Sequence, residues 1–396
     1  MTSCVAAWRR TGAVTAFGGV FAFASSLGQT FFISLFVPFL AADLGRTETA
    51  LAAVYGLATV AAAVLLPWIG RLVDRVDLLR LGGVVVAVML AAGLAFSQAR
   101  GLPVLVAALI LLRLCGQGLM SHIALSGVAR YVARGRAKAL AVAGLGHAVG
   151  EGLLPLTVVF ALGLWDWRVV FAGASLVIGG VLAPFALWAV RGRRRLRRPA
   201  RPSASGGARE GRPLLRDPRF WALAPALLAA PFIVTGLVFH QGLIARGLAL
   251  PPALFAAGFV GFAVVQAPAA LIAGAAIDRY GSRAVLLVHL LPLAGGVALL
   301  AAWPQPWAPL AFLLLAGVTN AWGGLLRTTL ATDLAGVSRV GAARSQIAAL
   351  MVVSTAAGPS LVGLVLGLGT RAGLAAIALG AVAVVAPAVF VRTSEP

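Results

Sequence analysis

Apolar runs of about 20 residues, repeated from one end of the chain to the other, constrain this sequence more than any other feature. A helix rises about 1.5 Å per residue, so such a run matches the ~30 Å hydrocarbon core of a bilayer. Twelve runs are read, near 13–38, 50–69, 81–98, 103–126, 139–162, 169–190, 220–245, 253–275, 284–302, 308–331, 346–368 and 372–391. A bilayer offers no water to backbone N–H and C=O groups, so these runs must be helices. Barrel strands would be shorter and would alternate polar with apolar residues, which these do not. With 61% hydrophobic and 11% charged residues and a mean hydropathy of +0.99, a soluble domain is excluded.

The net charge of +21 invites a nucleic-acid reading, and its distribution refutes it. Arg46, Arg100, Arg168, Arg246 and Arg371 fall on one side of the expected membrane, and Arg113 lies inside a run. Nearly all other basic residues fall at the termini and in the even-to-odd connections, which places both termini in the cytoplasm. Arg9 and Arg10 precede the first run, which is too long for a signal peptide and lacks a small-residue cleavage site, so it reads as a retained helix. Cys4 and Cys115 suit neither a disulfide nor a metal site.

The sequence repeats itself. Gly70, Asp74 and Arg75, spaced G-x-x-x-D-R, recur as Gly274, Asp278 and Arg279, each copy between two apolar runs. Gly28 aligns with Gly236, Arg136 with Arg344 and Gly150 with Gly358. The chain therefore divides into an N-terminal six-helix bundle at 1–190, a basic linker at 191–218 and a C-terminal six-helix bundle at 219–396. The stretch 191–219 carries eleven arginines among Pro, Ser and Gly, a composition suited to topology and to docking on anionic lipid. Asp217 followed by Pro218 reads as a helix start, since Asp caps and Pro fits the first turn.

The spans, the parallel repeat and the duplicated motif together resemble the major facilitator superfamily over about residues 12–392. In that family the signature G-x-x-x-D-R-x-G-R-[RK] joins helices 2 and 3, and weaker copies join helices 8 and 9. The first copy here has Asp77 and Leu78 where the family has Gly and Arg; the second keeps Gly281 and moves the next base to Arg283. The resemblance implies an all-α fold of two pseudo-symmetric six-helix bundles, a monomer, and a substrate site between the halves. Read physically, Gly70 and Gly274 let a helix end approach a neighbour, while Asp74 and Asp278 form a latch with a base or a helix start. Surface charge that merely ends a helix is the other reading. Arg136 and Arg344 are possible partners, or ordinary positive-inside charge.

Arg113 and Glu151 stand about ten to twelve residues deep in helices 4 and 5. An isolated charge at that depth costs about 3 kcal/mol on insertion scales, so the two are expected to serve each other. The family often has an Arg in mid-helix 4 before a Gly-containing stretch, linked to proton coupling; Arg113 with Gly116 and Gly118 is similar. Its antiporter branch has G-x-x-x-G-P in helix 5, where this chain has Gly146, Gly150 and then Glu151 instead of Pro. Glu151 can carry a proton, or Arg113 can hold a substrate carboxylate, or the two form a static buried pair. Gln29, His240 and Gln241 are candidates to hydrogen-bond a polar ligand, with His147 a weaker proton relay and Asn320 and Arg327 possible cavity residues. His122 and His289 read as structural, and Gly144, Ala148 and Gly152 as a packing face.

No G-x-x-x-x-G-K-[ST] loop is present for ATP, and no H-E-x-x-H, H-x-x-x-x-D or G-x-S-x-G for an embedded enzyme. The expectation is a secondary active transporter of a bacterial cytoplasmic membrane, driven by a proton gradient and requiring no cofactor or metal. A small organic anion is the favoured solute, and a proton-driven exporter of lipophilic compounds is the alternative, consistent with Phe31, Phe32, Phe239 and Trp322. A non-enzyme with a small-molecule partner, and no nucleic acid, is expected.

Overall fold

The computed structural model describes residues 2–70, 72, 76–132, 135–192, 214–335 and 340–390, without the side chains of 2–10 and 341. Every described element is helical. In chain order the long helices are α1 (Thr2–Ala24), α2 (Glu48–Gly70), α3 (Leu78–Ser97), α4 (Leu102–Tyr131), α5 (Arg136–Leu162) and α6 (Trp167–Val190). After the linker come α7 (Pro218–Phe239), α8 (Pro252–Val288), α9 (Leu291–Ala302), α10 (Ala308–Ala335), α11 (Val340–Leu366) and α12 (Thr370–Val389).

Among the described residues, eleven stretches are long and apolar enough to cross a bilayer. The difference from the twelve expected runs lies between Pro252 and Ala302. There one 51-residue apolar stretch takes in both expected runs, 253–275 and 284–302. It breaks at Gly281, whose φ of 81° is a conformation that glycine adopts without steric cost.

Aspartate side chains start α3, α6 and α7. Asp77 accepts from the N–H groups of Leu79 and Arg80 and caps α3, which explains an acid where the repeat motif has glycine. Asp166 caps α6 through Arg168 N–H, and Asp217 caps α7 through Arg219 N–H with Pro218 in the first turn. Each carboxylate satisfies donors that the first turn leaves open.

The chain forms two compact units. The first comprises residues 1–46 and 57–205; the second comprises 47–56 and 206–396, so the opening turns of α2 group with the second. In the first unit α1 packs along α5, α4 and α6. The approach is close enough to require glycine: a Cβ on Gly146 would lie 2.0 Å from the Gly19 carbonyl oxygen, and one on Gly150 2.2 Å from Ser26 Oγ. In the second unit α7 packs along α11 in the same way, a Cβ on Gly358 falling 2.4 Å from the Phe232 carbonyl oxygen. The aligned pair Gly150/Gly358 thus marks one repeated helix crossing, whereas Gly236 faces α11 and its counterpart Gly28 faces α4.

One glycine reading is corrected. Gly144 is exposed with nothing within 4 Å of a built Cβ, so the tight face of α5 is Gly146 and Gly150, not Gly144. A Cβ on Gly70 or Gly274 meets nothing within 4 Å among the described residues.

Candidate functional site

The first unit contains an interrupted helix. α1 ends at Ala24, a 3-10 turn follows at Ser25–Gly28, and Gln29 is extended (φ −88°, ψ 154°) before helix resumes at Thr30–Ile33. Opposite this break, α4 widens into a π-helical segment at Arg113–Met120. Such segments shift the hydrogen-bond ladder by one residue and often occur at functional positions. The break and the π segment meet through glycine: a Cβ on Gly28 would sit 2.1 Å from the Leu112 carbonyl oxygen, and one on Gly116 2.7 Å from Gly28 Cα.

Arg113 stands at this contact and is 2% exposed. Its Nη1 donates to the Gly28 carbonyl at 2.9 Å, and its Nε donates to Thr59 Oγ1 of α2 at 3.1 Å. The guanidinium therefore pins the broken backbone of α1 against α2 and α4. A cation can satisfy a carbonyl released by a helix break where no water reaches. Glu151 is half-buried and directly follows Gly150, the residue in contact with Ser26 of the same turn. The Ser25–Gly28 turn is thus flanked by the Arg113 segment and the Glu151 segment. Gln29, at the extended residue, and His147 are both half-buried, and the His147 ring meets Phe31 edge-on with centroids 6.0 Å apart. Of the expected residues of this half, Arg113, Glu151, Gln29 and His147 all fall around one broken turn. His122 is exposed on α4.

In the second unit α7 breaks at His240, the counterpart of Phe32 in the repeat. His240 is fully buried; its Nε2 donates to the Pro359 carbonyl of α11 at 2.8 Å, while Nδ1 has no partner among the described residues. Gln241 is buried beside it at the start of the short helix Gln241–Gly247. Asn320 of α10 donates its amide to Gln266 of α8 at 2.9 Å, a cross-helix amide pair. Arg327 folds back along its own helix, its Nη1 3.2 Å from where a Gly323 Cβ would lie. His289 is fully buried and bonds the Leu286 carbonyl one turn back, as a structural histidine does.

Of the gating residues, Asp74 and Arg75 lie outside the described residues. Asp278 is exposed, and Arg279 covers the Tyr280 ring at 5.3 Å. The tethers described at this loop come from its neighbours: Ser282 donates to Asp333 of α10, and Arg283 donates to the Ala388 and Val389 carbonyls at the end of α12. Arg136 donates to the Val132 carbonyl at the end of α4, and Arg344 is exposed.

Several contacts were not read from the sequence. Glu48, at the start of α2, is 7% exposed and pairs with Arg246 within the second unit. Arg168 bonds Asp43 at 2.9 Å and the Ser97 and Ala99 carbonyls, with Trp167 Nε1 also donating to Asp43. Aspartate and arginine at opposite ends of one half would have been the signal for the second cluster; Thr59 carried none.

A family model described as the Major Facilitator Superfamily matches residues 19–261. No curated protein sequence matches. Among solved structures, a bacterial homolog of the human lysosomal transporter Spinster, in an inward-facing unoccupied conformation, is similar at 15% identity and a TM-score of 0.70. The alignment covers 96% of this chain and 95% of that one. The nucleoside transporter NupG is similar at 12% identity and a TM-score of 0.71, covering 95% of this chain and 97% of that one.

Proposed function

The chain belongs to the major facilitator superfamily, and from that premise we propose that it is a proton-coupled secondary transporter of a small organic solute, working by alternating access. The observation that carries this reading is the broken turn Ser25–Gly28, held by the buried Arg113 and flanked by Glu151. A helix that is interrupted inside the membrane exposes backbone dipoles to a ligand, which is how many transporters build a site. Arg113 supplies the positive charge that an anion requires, and Glu151 supplies a carboxylate able to take and release a proton. A carboxylate solute is the favoured cargo on that inventory. Protons are favoured over sodium because Na⁺ prefers several oxygen ligands. The setting is a bacterial cytoplasmic membrane, with the protein acting as a monomer and the basic linker against anionic lipid.

Proteoliposomes with a trapped pH dye test the proposal. Carboxylate-driven internal acidification that disappears in both Arg113→Ala and Glu151→Gln is the expected result. A second reading, proton-driven export of lipophilic compounds, draws on Phe31 packed against His147. It predicts alkalinisation by an external lipophilic cation that is lost in Glu151→Gln and kept in Arg113→Ala, and that outcome would sink the anion reading.

A further inference from the structure

The second unit holds a cavity of about 420 Å³ whose wall comes from three membrane helices. α7 contributes a stripe from Pro225 to Ile233, α11 one from Ser354 to Val365, and α12 one from Ile377 to Val384. Each stripe follows the three-and-four spacing of a single helix face. At ~1.5 Å per residue the cavity extends about 10–16 Å along the helix axes. It is long and narrow, and it runs in the direction in which lipid chains run.

We propose that this groove binds one acyl chain of a membrane phospholipid. Three observations select that occupant. Ser354 is the one lining side chain with a hydrogen-bonding group, and its hydroxyl donates to the Leu228 carbonyl at 2.8 Å. Water needs two to four polar partners to stay in a cavity, and a polar solute would lose its own hydrogen bonds here. The protein does not fill the space itself: a Cβ on Gly380 meets nothing within 4 Å. An empty groove would forfeit the dispersion contacts of its walls. The groove also opens onto surface that faces lipid. Leu361, which lines it, is 49% exposed, and Leu364 and Leu379 on the same helices are 63% and 72% exposed. In the first unit α1 packs along the second half of α6. The groove does not depend on what the protein transports.

The full-length protein, reconstituted with phosphatidylglycerol bearing a mid-chain diazirine, tests this by irradiation and mass-spectrometric mapping of adducts. Adducts on Phe232 and Ile377 should exceed those on Leu364 and Leu379 at least about five-fold. Gly380→Leu, which grows a side chain into the groove, should reduce the groove adducts about five-fold, and Phe232→Trp should do so independently. Gly295→Leu, at an exposed glycine of α9 with open space around it, should leave them unchanged and control for added bulk. Groove adducts no more frequent than those on Leu364, or unchanged by both filling variants, would overturn the proposal. Tetraphenylphosphonium removing the adducts in a way that excess lipid does not reverse would also overturn it, and would assign the groove to a lipophilic solute.

Discussion

Arg113 of α4 donates to the backbone carbonyl of Gly28 in α1 at 2.9 Å, so a side-chain cation closes the gap left by a broken helix. Removing the cation strands that carbonyl in the membrane interior. Hydrogen bonds to charged groups are worth about 1.5–3 kcal/mol, and a buried acceptor left bare adds its own desolvation cost. Arg113→Ala should therefore lower both thermal stability and transport. Thr59→Val removes the Nε bond and should cost about 1–2 kcal/mol while the fold persists. Melting of the purified protein beside transport assays separates the two roles. Normal transport in a stable Arg113→Ala would reduce Arg113 to packing.

The glycines around this turn should tolerate no side chain. Gly28→Ala would place a methyl 2.1 Å from the Leu112 carbonyl oxygen, and Gly146→Ala would place one 2.0 Å from that of Gly19. Backbone on both sides leaves no flexible side chain to yield, so the helices must separate. Overpacking typically costs about 1–3 kcal/mol and can cost more where backbone must move. Folded yield after detergent extraction should fall sharply for both. Gly83→Ala, with open space around it, should behave as wild type; equal loss in all three would refute the close-approach account.

The helical architecture was legible because hydropathy at bilayer length leaves one backbone solution. The repeat was legible for a related reason. Gly150 and its counterpart Gly358 stand at one repeated crossing, α1 with α5 and α7 with α11, where only the smallest residue fits. The depth of Arg113 was legible from its place in the fourth run, but its partners were not. A backbone carbonyl such as that of Gly28 becomes an acceptor only when the helix breaks, and the break at Ser25–Gly28 was not read from the sequence. The connection between the runs 253–275 and 284–302 was legible too, since the backbone breaks between them at Gly281.

Arg168 ties three segments of the first unit together. It holds the Asp43 carboxylate at 2.9 Å and the carbonyls of Ser97 and Ala99 beyond the end of α3. The pair is partly exposed, 24% and 40%, so its Coulomb energy alone is worth little. The stabilisation comes from the two carbonyls and from Trp167, which shares Asp43 at 3.0 Å. Arg168→Lys should lose the fork geometry and cost about 1 kcal/mol, and Arg168→Ala about 2 kcal/mol. A thermal shift that vanishes at high salt would show that simple ion pairing dominates.

Glu48 and Arg246 join the start of α2 to the short helix after α7, with Glu48 nearly fully buried. Arg246 is 56% exposed and Glu48 is the buried partner, so losing Arg246 leaves a buried charge uncompensated and should cost more than removing both. The melting temperatures of Glu48→Gln, Arg246→Gln and the double variant should be strongly non-additive, with the double variant closer to wild type than Arg246→Gln. Simple additivity would mean that the two side chains act independently.

Asp217 supplies a pH test outside the membrane-spanning segments. Its side-chain bond to Arg219, together with the Arg219 backbone N–H and charge, holds the carboxyl below its ordinary value of 3.8, against a smaller opposing effect of burial. A group whose folded pKa is depressed contributes stability that is present above the unfolded value and lost as pH falls through the folded one. The cap of α7 should therefore hold at neutral pH and weaken only below about pH 4. Asp217→Ala removes the N-cap at every pH and should cost about 1 kcal/mol at pH 7, with Asp217→Ser retaining most of it. The wild-type advantage over Asp217→Ala should shrink when melting is repeated toward pH 3. An advantage that stayed constant down to that pH would show that the neutral carboxyl caps the helix equally well.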